Sequence, residues 1–129
     1  MRGYQEEVSF NALIGKTLKE ITGGAKGDGE IIFICDDGSQ FLMYHSDDCC
    51  ESVTVEDVAG DLNDLIGSPI LDAREETSNT NPSGVEIEYQ DSFTWTFYIL
   101  STNKGSVTIR WYGESNGYYS ESVSFVKSK

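Results

Sequence analysis

The sequence predicts an α+β domain, in which a mostly antiparallel sheet of six to seven strands packs against one main helix at about residues 56–66. Short β-rich runs separated by turn residues dominate the chain, and a single segment has a helical period. Hydrophobic residues make up 38% of the chain and aromatic residues 12%, which is enough to build a core. The 129 residues fit one domain, which we expect at 10–129 behind a flexible N-terminus at 1–9.

The first half of the chain is predicted to contain a helical turn, a strand and a hairpin. The turn is indicated at residues 9–15, where three apolar side chains share one face ahead of a glycine. Residues 17–22 alternate between polar and apolar side chains, as a strand does. The hairpin is indicated at residues 31–45, where two β-rich runs flank the turn sequence Asp-Asp-Gly-Ser.

The main helix is predicted from an apolar spacing that lies between a start and a stop signal. Glu56 and Asp57 would lie in the first turn, where the helix dipole favours negative charge. Gly67 and Pro69 would end the helix. The apolar residues recur at i, i+4, i+7 and i+8 and would share one face: Val58, Leu62, Leu65 and Ile66.

The second half is predicted to form a meander of strands at residues 70–75, 85–89, 93–101, 106–112 and 119–126. Odd-numbered apolar residues in the last three strands predict one buried face: Phe93, Trp95, Phe97, Ile99, Val107, Ile109, Trp111, Val123 and Phe125. A three-residue loop at 102–104 would bring the first two sets onto that face. The opposite face would carry hydroxyl groups around one guanidinium: Thr94, Thr96, Tyr98, Thr108, Arg110, Tyr112, Ser122 and Ser124.

This opposite face is interpreted either as an ordinary solvated sheet surface or as a binding face that extends into the following loop. The loop combines tyrosine with glycine and serine, a composition typical of recognition loops. In the binding interpretation Arg110 anchors an anion or a carboxylate, and the tyrosines supply flat contacts. The predicted partner- or ligand-binding residues are Arg110, Tyr112, Glu114, Ser115, Asn116, Tyr118 and Tyr119.

The charge is strongly negative and unevenly distributed. The formal net charge is −13, from 22 acidic and 9 basic residues, which argues against a basic face that grips nucleic acid or an anionic membrane. Acidic residues of the central region define a predicted acidic face: Asp47, Asp48, Glu51, Glu56, Asp57, Asp61 and Asp64. This face either serves solubility or covers the basic groove of a nucleic-acid-binding protein.

The sequence offers little for catalysis or for cofactor binding. His45, Cys49 and Cys50 are weak candidates for a zinc site, because no second cysteine pair or histidine supplies the usual spacing. No nucleophile, base and orienting group can be assembled, so we expect neither an enzyme nor a cofactor. An odd number of cysteines, without a secretory signal or a membrane-spanning run, predicts a reduced protein of the cytosol.

Three runs of the sequence are distinctive: YHSDDCCESV at 44–53, EDVAGDLNDLIGSPI at 56–70 and RWYGESNGYYSE at 110–121. They resemble a family of small uncharacterised phage and prophage proteins, and the similarity extends from about Leu13 to Phe125. The resemblance implies no activity. It implies a viral gene product made in the cytoplasm of a bacterial host, where small acidic proteins often antagonise host defence.

The leading hypothesis is therefore an acidic binding protein that inhibits a host defence factor, such as a CRISPR effector or another nucleic-acid enzyme, by mimicking nucleic acid. Its partner would be a host protein, and the chain itself would bind neither nucleic acid nor a membrane. Two alternatives remain. One is a sponge for a small signalling nucleotide, with Arg110 and the aromatic loop as the pocket, and the other is an accessory or structural protein of the virion.

Overall fold

Two antiparallel β-sheets packed face to face make up the fold. The computed structural model describes residues 6–45, 51–82, 85, 92–115 and 120–128. The five-stranded sheet has the order β1-β9-β4-β3-β2, with β1 at Glu6–Glu7, β2 at Leu18–Gly23, β3 at Glu30–Cys35, β4 at Gln40–Tyr44 and β9 at Ser124–Lys127. The four-stranded sheet has the order β5-β8-β7-β6, with β5 at Ser52–Ala59, β6 at Asp72–Ser78, β7 at Ser92–Thr102 and β8 at Gly105–Ser115. The helical segments of this described part are two 3-10 helices, at Phe10–Leu13 and Leu62–Leu65.

The predicted α+β fold with a main helix at 56–66 is wrong, because this segment is the end of β5 followed by a short 3-10 helix. Val53 and Val55 point into the core, and a β-bulge between Val55 and Asp57 then inserts one extra residue. The bulge shifts the alternation, so that Val58 also packs against the core. The apolar spacing that indicated a helix is therefore produced by an interrupted strand and the turn that follows it.

Several other elements agree with the sequence. The hairpin around residues 36–39 joins β3 to β4, and the predicted turn at 9–15 contains the 3-10 helix Phe10–Leu13. The predicted strand at 85–89 lies outside the described residues except for Val85. Within the N-terminal segment, Glu6 and Glu7 pair with Lys127 and Val126 of β9.

The core lies between the two sheets and is rich in aromatic side chains. The ring of Phe10 packs 4.6 Å from that of Tyr98 and 5.1 Å from that of Phe125, and so joins one sheet to the other. Trp111 is fully buried, and its indole Nε1 donates a hydrogen bond to Met43 Sδ at 3.1 Å. These contacts hold together side chains that would otherwise expose their large apolar surface to water.

The hairpin between β7 and β8 is closed by a two-residue turn, so the three-residue loop expected at 102–104 is wrong. Thr102 pairs with Gly105, which leaves Asn103 and Lys104 in the turn. Thr102 donates its hydroxyl proton to the carbonyl oxygen of Asp64 and accepts a hydrogen bond from the Lys104 amide. The second 3-10 helix is thereby attached to the turn.

This register reverses the predicted faces of β7. Tyr98 and Leu100 point into the core beside Ile109 of β8, and all three are fully buried. The odd-numbered residues of β7, which were expected in the core, lie on the outer face of the four-stranded sheet. Arg110 is therefore surrounded by aromatic side chains and not by the hydroxyl groups of Thr94, Thr96 and Tyr98.

We predict that Gly60→Ala destabilises the chain more than Gly38→Ala. Both glycines have a positive φ, +108° at Gly60 and +90° at Gly38, so both substitutions introduce backbone strain of about 1–2 kcal/mol. A Cβ at Gly60 would additionally lie 2.7 Å from the carbonyl oxygen of Ser106, whereas a Cβ at Gly38 meets nothing within 4 Å. We expect a further loss of about 1 kcal/mol for Gly60→Ala in urea denaturation. Equal losses for the two variants would show that the close approach of β5 to β8 is unimportant.

Candidate functional site

The outer face of the four-stranded sheet carries an array of aromatic and charged side chains, which we call the Arg110 face. Strand register places its residues in rows that cross the sheet. One row consists of Glu76, Phe97, Arg110 and Asp57, and the next consists of Ser78, Trp95, Tyr112 and Thr54. Ile99, Glu56 and Arg74 lie on the same face. Phe97 and Ile99 are partly exposed, and Arg74 pairs with Ile99 and lies 3.7 Å from Glu76.

Arg110 is held by an ion pair with Glu56. Its Nε and Nη2 lie 2.7 and 2.6 Å from Glu56 Oε2, and the two side chains are 23% and 27% exposed. The guanidinium carbon also lies 5.1 Å from the ring centroid of Trp95, which is cation–π distance. Glu56 is the extra residue of the β5 bulge, so the bulge brings its carboxylate to the guanidinium. The charge of Arg110 is therefore compensated within the chain.

Trp95 forms the floor of the array. It is only 1% exposed although it lies on the outer face of the sheet. The ring of Tyr112 packs 4.6 Å from it, and its indole Nε1 donates a hydrogen bond to Asn81 Oδ1 at 3.0 Å. A buried indole with a satisfied N–H is rigid, so Trp95 gives Arg110 and Tyr112 a fixed surface to pack against.

The other predicted binding residues divide between the two sides of β8. Tyr112 lies on the Arg110 face and donates its hydroxyl proton to Glu114 at 2.8 Å. Ser115 is buried at the end of the strand and points to the core side. Asn116, Tyr118 and Tyr119 lie outside the described residues.

The carboxylates of the predicted acidic face have separate surroundings. Glu56 binds Arg110, and Asp61 caps the second 3-10 helix by accepting the amide of Asn63 at 2.9 Å. Asp57 is exposed on the Arg110 face. Two further members are less accessible, since the Asp64 carboxylate lies against Gly105 and the Glu51 side chain is fully buried. Asp47 and Asp48 lie outside the described residues.

His45 lies beside Glu51 in the interior at one end of the sandwich. Its Nδ1 is 2.6 Å from the carbonyl oxygen of Ser122, so Nδ1 carries a proton, and its Nε2 is 3.7 Å from Glu51 Oε2. The side chain of His45 is 3% exposed. Cys49 and Cys50 lie outside the described residues. Where the structure describes the chain, no group of three or more metal-binding side chains comes together.

The comparisons with known proteins give a family but no activity. A family model described as a domain of unknown function, DUF7448, matches residues 11–125. The chain belongs to this family. No curated protein and no solved structure matches the sequence. No helix in the described part of this DUF7448 domain is long and apolar enough to span a membrane.

The sequence did not indicate Glu121 as a hydrogen-bonded carboxylate of this DUF7448 domain. Its Oε2 accepts the Ser115 hydroxyl at 2.6 Å and its Oε1 accepts the Thr94 hydroxyl at 2.9 Å. Burial by itself raises the pKa of the Glu121 carboxyl, but hydrogen bonds from Ser115, Ser92 and Thr94 outweigh it and hold the pKa below its ordinary value. A Cβ at Gly113 would lie 2.7 Å from the Glu121 carbonyl oxygen, so this segment runs directly over β8.

Phe97 and Glu121 were both missed as site residues for the same reason. Phe97 was assigned to the core by its parity, and Glu121 was taken as part of a strand. Their roles follow from the register of β7, which turns Phe97 outward and Thr94 inward. The three hydroxyl residues that bond to Glu121 lie at neighbouring ends of β7 and β8: Ser92, Thr94 and Ser115. They are a signal for a shared acceptor, but the sequence does not say which carboxylate it is.

We predict that Glu121→Gln destabilises the chain at neutral pH and that this difference shrinks in acid. Because the folded-state pKa of Glu121 lies below its ordinary value of 4.5, its stabilisation is complete above that pH and is lost as pH falls through the folded-state pKa. The variant should lose about 1 kcal/mol in urea denaturation at pH 7. Glu20→Gln, on exposed β2, should change stability by less than about 0.5 kcal/mol. A Glu121→Gln loss that is unchanged in acid would contradict the hydrogen-bonded carboxylate.

Proposed function

We propose that this protein is a non-catalytic binding protein that docks through the Arg110 face onto a basic surface of another protein. The observation that carries the proposal is the row Glu76, Phe97, Arg110 and Asp57, in which the single guanidinium is already bound by Glu56. Of the other groups in this row, Glu76 lies 3.7 Å from Arg74, and Phe97 and the exposed Asp57 favour a cationic partner.

The chemistry of the face suits lysine and arginine side chains. Phe97 and Ile99 provide partly exposed apolar surface on which the stem of a long basic side chain can pack. Asp57 is exposed beside them and attracts the charged head. Aromatic rings also bind a cation at their faces, and the rigid floor of Trp95 lowers the entropy cost of forming such contacts.

The compensation of Arg110 favours this proposal over the nucleotide sponge. An anion that approaches Arg110 would compete with Glu56, which already accepts from both Nε and Nη2. The displaced carboxylate would then lie next to the incoming negative charge. A cationic partner has no such conflict, because the Arg110–Glu56 pair stays intact and Asp57 and Glu76 lie on either side.

The resemblance to phage and prophage proteins gives the proposal a biological setting. In the cytoplasm of a bacterial host, a small acidic protein of this kind would cover the basic groove of a nucleic-acid-binding defence effector and inhibit it. The net charge of −13 supports this type of partner, since it raises the rate of encounter with a positively charged surface.

The test is an affinity pull-down from bacterial lysate with the full chain, followed by native mass spectrometry. We expect a partner with a basic nucleic-acid-binding surface, and an affinity that falls steeply as salt is raised because the contacts are electrostatic. Phe97→Ala and Asp57→Lys should each weaken binding by roughly tenfold, since they remove a central contact or reverse a charge on the face.

The matched control is Glu20→Lys, which makes the same kind of charge reversal on β2 of the other sheet. It should bind nearly as well as the unmodified chain, and circular dichroism should show that all three variants fold. An affinity that does not change with salt, or equal losses for Glu20→Lys and Asp57→Lys, would overturn the proposal.

A further inference from the structure

A shallow cleft of about 430 Å³ lies where the edges of the two sheets meet, and it borders the Arg110 face at Glu76. One wall is formed by residues 8–11, and the other by residues 73–76 of β6. Residues 6–8 form the edge of the five-stranded sheet, because Val8 continues the pairing of β1 by donating its amide to Phe125. The cleft therefore runs between β6 and a wall that starts at Val8 and continues into the first 3-10 helix, which packs against β6.

The outer edge of β6 pairs with no strand of the described chain, in contrast to the opposite edge of the same sheet. At that opposite edge, β5 is covered by the loop before β3, where Gly27 donates to the Val55 carbonyl and Val55 donates to that of Asp28. In the part of the chain that the structure describes, β6 pairs with β7 and makes no backbone hydrogen bond on its other side. An open edge presents N–H and C=O groups to an incoming strand.

The cleft contains a carboxylate with no cation to balance it. Glu75 lines the cleft, and no basic side chain among the described residues lies within salt-bridge distance of it. Its neighbour Arg74 is engaged by Asp72 at 2.8 Å and by Glu76 at 3.7 Å. Glu75 is an exposed residue that pairs across the sheet with the fully buried Tyr98, so it lies at the margin of the core. Burial raises the pKa of the Glu75 carboxyl, and burial together with the Glu75 charge raises that of Tyr98.

Apolar surface is exposed next to the start of β6, which begins at Asp72. The two large hydrophobic residues with the greatest exposure in the described chain are Ile14 and Leu71, at 48% and 62%. The Gly15 amide donates to the Ile70 carbonyl at 2.8 Å, so both exposed residues lie at the same corner. The cleft thus has an acidic centre and continues toward an apolar corner.

From these observations we propose that β6 accepts an extended basic segment of a protein partner as an additional strand. The segment bonds to the open edge through its backbone, places a lysine or arginine beside Glu75 and packs an apolar side chain at the corner of Ile14 and Leu71. The charges of β6 disfavour pairing with neutral or acidic strands, including a second copy of β6. The inference concerns the strand edge of β6, which adjoins the Arg110 face at Glu76, and it goes beyond the proposed function.

The test uses the isotope-labelled full chain and three synthetic peptides, each about as long as the seven residues of β6. The first alternates lysine and valine, the second alternates glutamate and valine, and the third is the lysine peptide with alternate backbone nitrogens methylated. Binding is followed by nuclear magnetic resonance. We expect the lysine peptide alone to shift the amide signals of residues 8–11 and 73–76.

Variants of the chain test the acidic centre of the cleft. Glu75→Gln should weaken binding of the lysine peptide roughly tenfold, because it removes the charge that meets the lysine. Glu20→Gln, an exposed carboxylate on another edge strand, should leave the affinity unchanged.

Three results would overturn the inference. Equal binding of the methylated peptide would mean that the backbone of β6 makes no bonds to it, and equal losses for both variants would mean that Glu75 has no specific role. A lysine peptide that shifts only Phe97 and Arg110 would also reject strand addition at β6, while supporting the Arg110 face. If Phe97→Ala and Asp57→Lys do not weaken binding in the pull-down while the lysine peptide still binds at β6, the Arg110 face is rejected and strand addition at β6 is supported.

Discussion

The two-residue turn at Asn103 and Lys104 is the constraint on which the rest of the structure depends. It fixes the pairing of β7 with β8 and decides which side of β7 faces the core. With this register Tyr98 reaches Phe10 and the five-stranded sheet, and Phe97 faces solvent. A shift by one residue would exchange these two faces. The turn is stabilised from outside the hairpin, because Lys104 Nζ donates to the Ile66 carbonyl at 2.6 Å.

The two edges of the four-stranded sheet differ, because a loop bonds to β5 whereas no described segment bonds to the outer side of β6. Each of the two proposed surfaces depends on one of these edges. At β5 the covering loop forms backbone hydrogen bonds with Val55, and the bulge places Glu56 next to Arg110. At β6 the edge stays open and is protected mainly by charge. Charge protects an edge against neutral strands but attracts oppositely charged ones, so protection and selectivity have the same physical origin.

The sequence predicts individual strands better than their arrangement. The hairpin around residues 36–39 and the strands of the second half follow from local composition and turn chemistry. The side of β7 does not, because apolar residues occupy both parities: Trp95 and Phe97 on one, Tyr98 and Leu100 on the other. Periodicity cannot choose between two apolar faces, and the choice is made by a turn whose stabilising partners, at Asp64 and Ile66, are distant in sequence. The bulge at Glu56 hides the strand in a similar way, since one inserted residue converts strand alternation into a spacing that resembles a helix.

The candidate site was partly predictable, because the sequence predicts the outward side of β8 but not that of β7. Arg110 and Tyr112 were expected to share an exposed face, and both lie on the outer face of the sheet. Their neighbours were not foreseen, because Trp95 had been assigned to the core.

The distribution of charge explains why a total of −13 leads to specific surfaces. Several basic side chains are used inside the chain: Lys16 binds Asp37, Arg74 binds Asp72, and Arg110 binds Glu56. Each such pair contributes little to stability when it is exposed, but it removes a positive charge from the field that a partner meets. Asp57 and Glu75 have no such partner among the described residues, and they lie on the Arg110 face and in the β6 cleft respectively. We therefore propose that the net charge guides a basic partner to the molecule and that the position of these two carboxylates decides where it binds.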